Sequence, residues 1–226
     1  MTVSVVIPAL DEERLVARAV ASVRADADVL VVDGGSTDRT REVARAAGAR
    51  VVDGPRGRGP QLGEGAGRTR GDWIVFLHAD TWLEPGWASA LALPGEVAGG
   101  AFRLAVDSPR PVYRLVEAAV RLRTRLFALP YGDQGMFARR AAYERVGGIA
   151  PLPLMEDVDF VRRLRRAGRL AFPRARAVTS PRRWERGGVA AATARNLRVL
   201  ALYALGRPAS RLAELYESGF FGRTGA

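Results

Sequence analysis

The sequence predicts an α/β fold with a mostly parallel central sheet flanked by helices, and three observations predict it. Short β-branched runs alternate with helical patterns through the first hundred residues, the punctuation of successive βαβ units. Two acidic loops, Asp33-Gly34-Gly35-Ser36-Thr37-Asp38 and His78-Ala79-Asp80, each directly follow an apolar run, so their carboxylates emerge where buried strands end. The chain has 226 residues, 48% of them hydrophobic, enough to bury one substantial core.

Taken in order, Val3–Ile7 reads as a first core strand and 12–25 as a helix. Val29–Val32 and 37–47 form the next pair, with Ser36 or Thr37 able to cap that helix and Gly48 to stop it. Strands follow at 50–52 and 73–77. Pro55-Arg56-Gly57-Arg58-Gly59-Pro60-Gln61 and the glycines at 63, 65 and 67 read as a flexible basic approach to a short helix, its backbone able to come close to phosphate. It does not match a dinucleotide fingerprint, because Leu62 or Arg68 stands where the third glycine belongs. Beyond Asp80 the pattern predicts a strand at 100–106 and an arginine-studded amphipathic helix at 111–126. A turn at 131–135 then runs into a strand, and further helices span 156–167, 189–205 and 209–216. The expected organisation is a domain over 1–185, with a donor half to about residue 100 and an acceptor half beyond. A helical extension over 186–226 packs on it or on a membrane surface.

Composition narrows the classes. With no cysteine, a disulfide scaffold, thiolate metal sites and cysteine nucleophiles are excluded. The formal net charge of +11 favours anionic partners. The excess is arginine spread along the chain with no nucleic-acid motif, so no nucleic-acid partner is expected. The amino terminus lacks a signal-peptide pattern, and no run approaches a membrane span. A cytoplasmic protein is expected, with the amphipathic segment at 112–127 suited to peripheral contact with an anionic membrane.

Three acidic clusters in order, ending in Glu156-Asp157-Val158-Asp159, suit an enzyme handling a nucleotide-sugar. Such chemistry needs base recognition, cations to neutralise a leaving diphosphate, and a base to deprotonate the acceptor. Asp33 is placed to accept from a pyrimidine or ribose, with Pro8, Ala9, Asp11 and Glu12 as the adjoining wall and Gly35, Arg58 and Gln61 nearby. Asp80 can hold Mg²⁺ or Mn²⁺ against phosphate, and His78, the only histidine, is its neighbour. Asp133 and Gln134 can orient sugar hydroxyls. Glu156 and Asp157 read equally as helix-start acids favoured by the macrodipole.

Together, Val5-Val6-Ile7-Pro8-Ala9-Leu10-Asp11-Glu12, the Asp33–Asp38 loop, His78-Ala79-Asp80 and Glu156-Asp157 resemble the family 2 glycosyltransferases, whose fold is GT-A, a Rossmann-like nucleotide-diphospho-sugar transferase fold. The resemblance implies that Asp33 reads the nucleotide, that Asp80 is the surviving acid of the Asp-x-Asp metal motif, and that Asp157 is the base of an inverting transfer from a UDP-sugar. More narrowly, Leu77–Thr81, Gly132–Gly135 and Ser180-Pro181-Arg182-Arg183-Trp184 resemble a bacterial subgroup named for arsenosugar biosynthesis or for glucosylating diaponeurosporenoate. A small-molecule or lipid acceptor is implied. Arg183-Trp184 also matches the end of the Gln-x-x-Arg-Trp pattern of processive members, with Ser180 in place of glutamine, so short transfer with Arg183 and Trp184 at the acceptor is expected. The competing readings are a sugar-phosphate nucleotidyltransferase, which would open with a glycine-rich phosphate loop, and a non-catalytic nucleotide-sugar or membrane-binding module.

Overall fold

The computed structural model describes residues 1–221, with the side chains of 186 and 217–221 left aside. In chain order its elements are β1 Val3–Ala9, α1 Val16–Val23, β2 Asp28–Asp33, α2 Thr40–Ala46, β3 Arg50–Asp53, α3 Arg58–Gly67, β4 Trp73–Phe76, β5 Thr81–Leu83, β6 Val97–Ala101, β7 Arg103–Val106, α4 Pro111–Phe127, β8 Met136–Arg139, α5 Arg140–Arg145, α6 Glu156–Ala167, β9 Arg169–Ala171, β10 Arg176–Thr179, α7 Arg182–Gly187, α8 Val189–Ala204 and α9 Ala209–Phe221.

Seven strands form the main sheet in the order β3-β2-β1-β4-β8-β6-β9. The β1–β2, β1–β4, β2–β3 and β6–β9 pairs are parallel, and β8 runs against both its neighbours. The period-2 geometry of a strand explains why these strands read as continuous apolar runs. Val5, Ile7, Val29, Val31, Trp73 and Val75 pack on one face with α1; Val6, Leu30, Val32, Ile74 and Phe76 pack on the other with Leu62, Ala66 and Phe160. A second sheet, β5-β10-β7, stands at the carboxyl side of β4. The ends of β1, β2 and β4 therefore open on one crevice, where ligands bind in open α/β sheets.

Several boundaries differ from the sequence reading, among them the last helix, expected over 209–216 and running to Phe221. The helix expected from residue 12 starts at Val16, because the Glu12 and Glu13 amides are engaged by the Thr40 hydroxyl and the Asp38 carboxylate. The helix expected from 37 starts at Thr40; Ser36 does not cap it but bonds Asp33 instead, and Asp38 takes the Thr40 amide. The strand expected at 100–106 is two strands in different sheets, parting at Phe102, whose amide bonds the Gln134 carbonyl. The glycine-rich stretch, read as a flexible basic approach to a short helix, is itself helical from Arg58 to Gly67. Its Gly65 lies against β1, where a Cβ would fall 2.3 Å from a Val6 methyl carbon. Gly65 serves helix–sheet packing, and Gly59 lets α3 approach the backbone of residues 150–152, where a Cβ would fall 2.8 Å from the Leu152 carbonyl oxygen; neither demand is visible in composition.

A Cβ at Gly100 would sit 1.8 Å from the Ala171 carbonyl oxygen, a backbone atom of β9 that cannot rotate away. Gly100→Ala is expected to separate β6 from β9 and destabilise the protein by about 3 kcal/mol or more, read as a lower urea midpoint. An unchanged midpoint would mean the sheet edge accommodates the methyl.

Candidate active site

Two clefts meet at the carboxyl edge of the sheet. The larger, about 680 Å³, is lined by Pro8, Ala9 and Glu12 from the end of β1, by Arg56, Arg58 and Gln61 around the start of α3, by Asp80, and by Arg182. The smaller, about 90 Å³, is lined by Tyr131, Gly132, Asp133, Glu156 and Asp157, and is closed by Asn196, Val199 and Tyr216 of the carboxyl-terminal helices. Arg58, His78 and Arg183 line both. These three residues mark the junction between the clefts.

On the larger side, Asp80 receives Arg182 at 3.2 Å, and the same guanidinium nitrogen is held by Glu12. Burial pushes the Asp80 carboxyl up, but the neighbouring His78 ring and the guanidinium charges of Arg183 and Arg182 outweigh it and hold it below its usual range. His78 is buried, and its Nε2 has no hydrogen-bond partner. Burial, then Arg58 and Arg183, keep the ring well below its ordinary pKa against the pull of Asp80, so it is neutral at physiological pH. Among the described residues no group of three acidic, histidine or cysteine side chains is arranged to hold a metal. Asp80 and the unpartnered His78 nitrogen are the donors at hand, a mixed oxygen–nitrogen pair compatible with Mn²⁺ only if substrate phosphates and water complete the shell.

On the smaller side, α6 starts from Met155 in the left-handed region at φ 66°, a strained setting for a non-glycine residue. The turn brings Glu156 and Asp157 into the cavity at the helix amino end. Asp157 is partly exposed and is positioned by the Gly132 amide at 2.8 Å. Glu156 is buried and paired with Arg58 at 3.3 Å. Burial raises the Glu156 carboxyl despite that arginine, and Asp157 adds to the rise. Gly132 is needed here because a Cβ would lie 2.7 Å from His78 Nε2.

Several residues expected at the site are placed elsewhere. Asp33 is fully buried beneath the donor wall, with its carboxylate taken by the Gly35 amide and by the Ser36 amide and hydroxyl. Asp11, at φ 52°, accepts the Thr37 amide. Neither these two nor the exposed Gly35 lines the larger cleft, so the structure gives the two acids the work of shaping the loop behind it. Gln61 reaches the cleft, but its Nε2 is spent on the Ala9 and Val32 carbonyls at 2.8 and 2.7 Å, tying the ends of β1 and β2. Gln134 points into the fold, donating to Phe102 O and accepting from Arg123 and Thr124. Trp184 is buried edge-on against Tyr113, 5.9 Å between centroids. A short polar residue before a strand and an aromatic after arginine are ambiguous in sequence; here the core claims both. The sequence reading missed Arg182 as a partner of Glu12 and Asp80, and missed Asn196, Val199 and Tyr216, which no local motif marks.

Asp133 lines the smaller cavity, and its Oδ1 is buried without a partner. Burial raises its pKa against Arg183 and Arg123. An acid with a folded pKa above its unfolded value costs stability above the unfolded value of about 3.9, and the cost grows until the folded pKa is passed. Asp133→Asn is therefore expected to exceed the parent in melting temperature near neutral pH and to lose that advantage near about pH 4. A pH-independent difference between the two would contradict it.

The comparisons agree with this architecture. Residues 4–97 match the model described as Glycosyl transferase family 2, and the fold is that of solved GT-A glycosyltransferases. Glucosyl-3-phosphoglycerate synthase of Mycolicibacterium paratuberculosis is 39% identical over 93 residues, covering 35% of this chain and 28% of that one. Glycosyltransferase AglJ of Haloferax volcanii is 32% identical over 147 residues, covering 58% and 46%. The chain thus spans less than half the length of the curated relatives it matches. Among solved structures, glucosyl-3-phosphoglycerate synthase from Mycobacterium tuberculosis, in complex with Mg²⁺ and UDP, superposes with a TM-score of 0.57 at 24% identity over 79% of this chain and 69% of that one. S. aureus TarS in complex with UDP-GlcNAc gives 0.65 at 16% identity over 80% and 58%.

Proposed function

We propose that this protein transfers a glycosyl group from a UDP-sugar, with inversion, to a hydroxyl of a small-molecule or lipid acceptor. The observation that carries the reading is the meeting of two clefts at Arg58, His78 and Arg183, with Asp80 on one side and Asp157 on the other. The larger cleft takes the nucleotide diphosphate: its size suits a nucleotide, and Arg58, Arg182 and Arg183 supply positive charge beside the first turn of α3, whose amides favour anions. A divalent cation, held by Asp80 with His78, would supply further neutralisation of the departing diphosphate. The solved relative named above binds UDP and Mg²⁺, which supports both parts.

The smaller cavity takes the acceptor. Asp157, held by the Gly132 amide, accepts the proton of the attacking hydroxyl as its oxygen displaces the diphosphate from the far face of the anomeric carbon. Glu156 fixes Arg58 at the junction. Asp133 is a hydrogen-bonding group for the acceptor. No helix among the described residues is long and apolar enough to cross a membrane. Contact with an anionic membrane surface is carried by the outer face of α4, where Leu115, Leu122 and Leu126 are exposed beside arginines, a pattern suited to interfacial binding.

Calorimetric titration with UDP and UDP-glucose, with and without Mn²⁺, tests the reading. Binding of UDP that weakens on chelation of the metal is expected. Absence of any nucleotide binding would overturn it, and binding without turnover on any acceptor would favour a non-catalytic module.

A further inference from the structure

A third cleft, of about 290 Å³, shares no lining residue with the two described above. It lies between β7, α4 and the segment joining β9 to β10. Its floor includes Phe102, Leu104 and Phe172, and Arg103, Arg121, Arg125 and Arg174 stand around it. None of these four guanidinium groups has an ion pair or side-chain hydrogen bond among the described residues. The remaining charges of the cleft are already matched: Glu117 is engaged by Arg114 and by the Val106 amide, and Arg176 by Glu84.

Four unmatched arginines brought together by three separate elements repel one another, and the fold gains nothing visible from their convergence. Burial and then Arg125, Arg174 and Arg121 lower the pKa of Arg103, so the groups are close enough to feel each other. Planar guanidinium forks suit the oxygens of a phosphoryl group, each charge-assisted and geometrically specific. A lone carboxylate offers two oxygens to four such forks, whereas a phosphate group offers three or more. The cleft is larger than one phosphate, and the apolar floor leaves room for a carbon body.

We infer that this cleft is a second ligand site, separate from the proposed donor and acceptor clefts, and that it binds a phosphate-bearing molecule through Arg103, Arg121, Arg125 and Arg174. The phosphate belongs either to a free phosphorylated compound or to a lipid headgroup. The site does not depend on the catalytic reading, since it shares no residue with that machinery.

The test uses the full chain, the Arg121→Gln/Arg125→Gln variant and, as a control, Arg58→Met/Arg183→Gln. Arg121 and Arg125 are exposed on α4, so the double substitution spares the core; matching thermal unfolding would verify that. Pyrophosphate binding by calorimetry, and sedimentation with phosphatidylcholine vesicles with or without phosphatidylglycerol, are measured at one ionic strength. Saturable pyrophosphate binding that weakens roughly a hundredfold in the α4 variant, about tenfold for each charge-assisted contact removed, and persists in the control would establish a site for a free phosphorylated ligand. Vesicle binding that requires phosphatidylglycerol and is lost in the α4 variant, without pyrophosphate binding, would establish a headgroup site. Loss of pyrophosphate binding in the control alone would assign it to the donor cleft and overturn the inference, as would the absence of any difference between parent and α4 variant.

Discussion

Asp157→Asn is expected to lower turnover by about 10²–10⁴-fold, the usual contribution of a general base, while UDP affinity changes by less than about twofold because the base lies in the acceptor cavity. Asparagine keeps the shape of the side chain and can still accept from the Gly132 amide, now 2.8 Å from Asp157. It cannot take a proton. The diagnostic pair is single-turnover transfer from UDP-glucose and UDP titration of the same preparation. Full turnover in a folded variant would move the base elsewhere, and Glu156 is the poorer candidate because it is buried and committed to Arg58.

Arg58→Met should produce the second large effect. Among the described residues Arg58 pairs with Glu156 and also lines both clefts. Its removal takes a charge from the diphosphate and leaves Glu156 buried without its counter-ion. Loss of one preorganised group that stabilises developing charge costs about 10²–10³-fold in rate, and an uncompensated buried carboxylate adds destabilisation. With the arginine gone, the Glu156 pKa rises further and the site holds a proton to higher pH. Arg58→Lys should recover charge but not the fork geometry, and so restore activity only in part. A methionine variant with parental kcat/KM would remove Arg58 from the proposed mechanism.

The first hundred residues were legible from sequence because their signals are local. A buried parallel strand is a run such as Val3–Ile7, and its end is announced by the first polar residue, so Asp33 and Asp80 were located at strand ends correctly. The direction in which each side chain points was not legible. Asp33 and Asp80 look alike in sequence, yet one turns down to tie Ser36 and the other faces Arg182. The choice depends on Ser36, Thr37 and Thr40 reaching across to Asp11 and Glu12, contacts between segments more than twenty residues apart. The same holds for Gln134 and Trp184, whose burial depends on α4, an element whose packing partners the local pattern does not specify. Helix α6 was legible to the residue, because three acids at its amino end and arginines in its last turn agree with the macrodipole.

The cavity beside Asp157 takes its outer wall from Asn196, Val199 and Tyr216, near the end of the described chain, whereas the strands that shape the nucleotide side are complete by Phe76. Chains are made from the amino end, and early segments begin to fold before later ones exist. A ribosome-bound chain therefore carries the β1 and β4 side of the larger cleft well before Arg182 of its other side and before the residues that wall the cavity at Asp157.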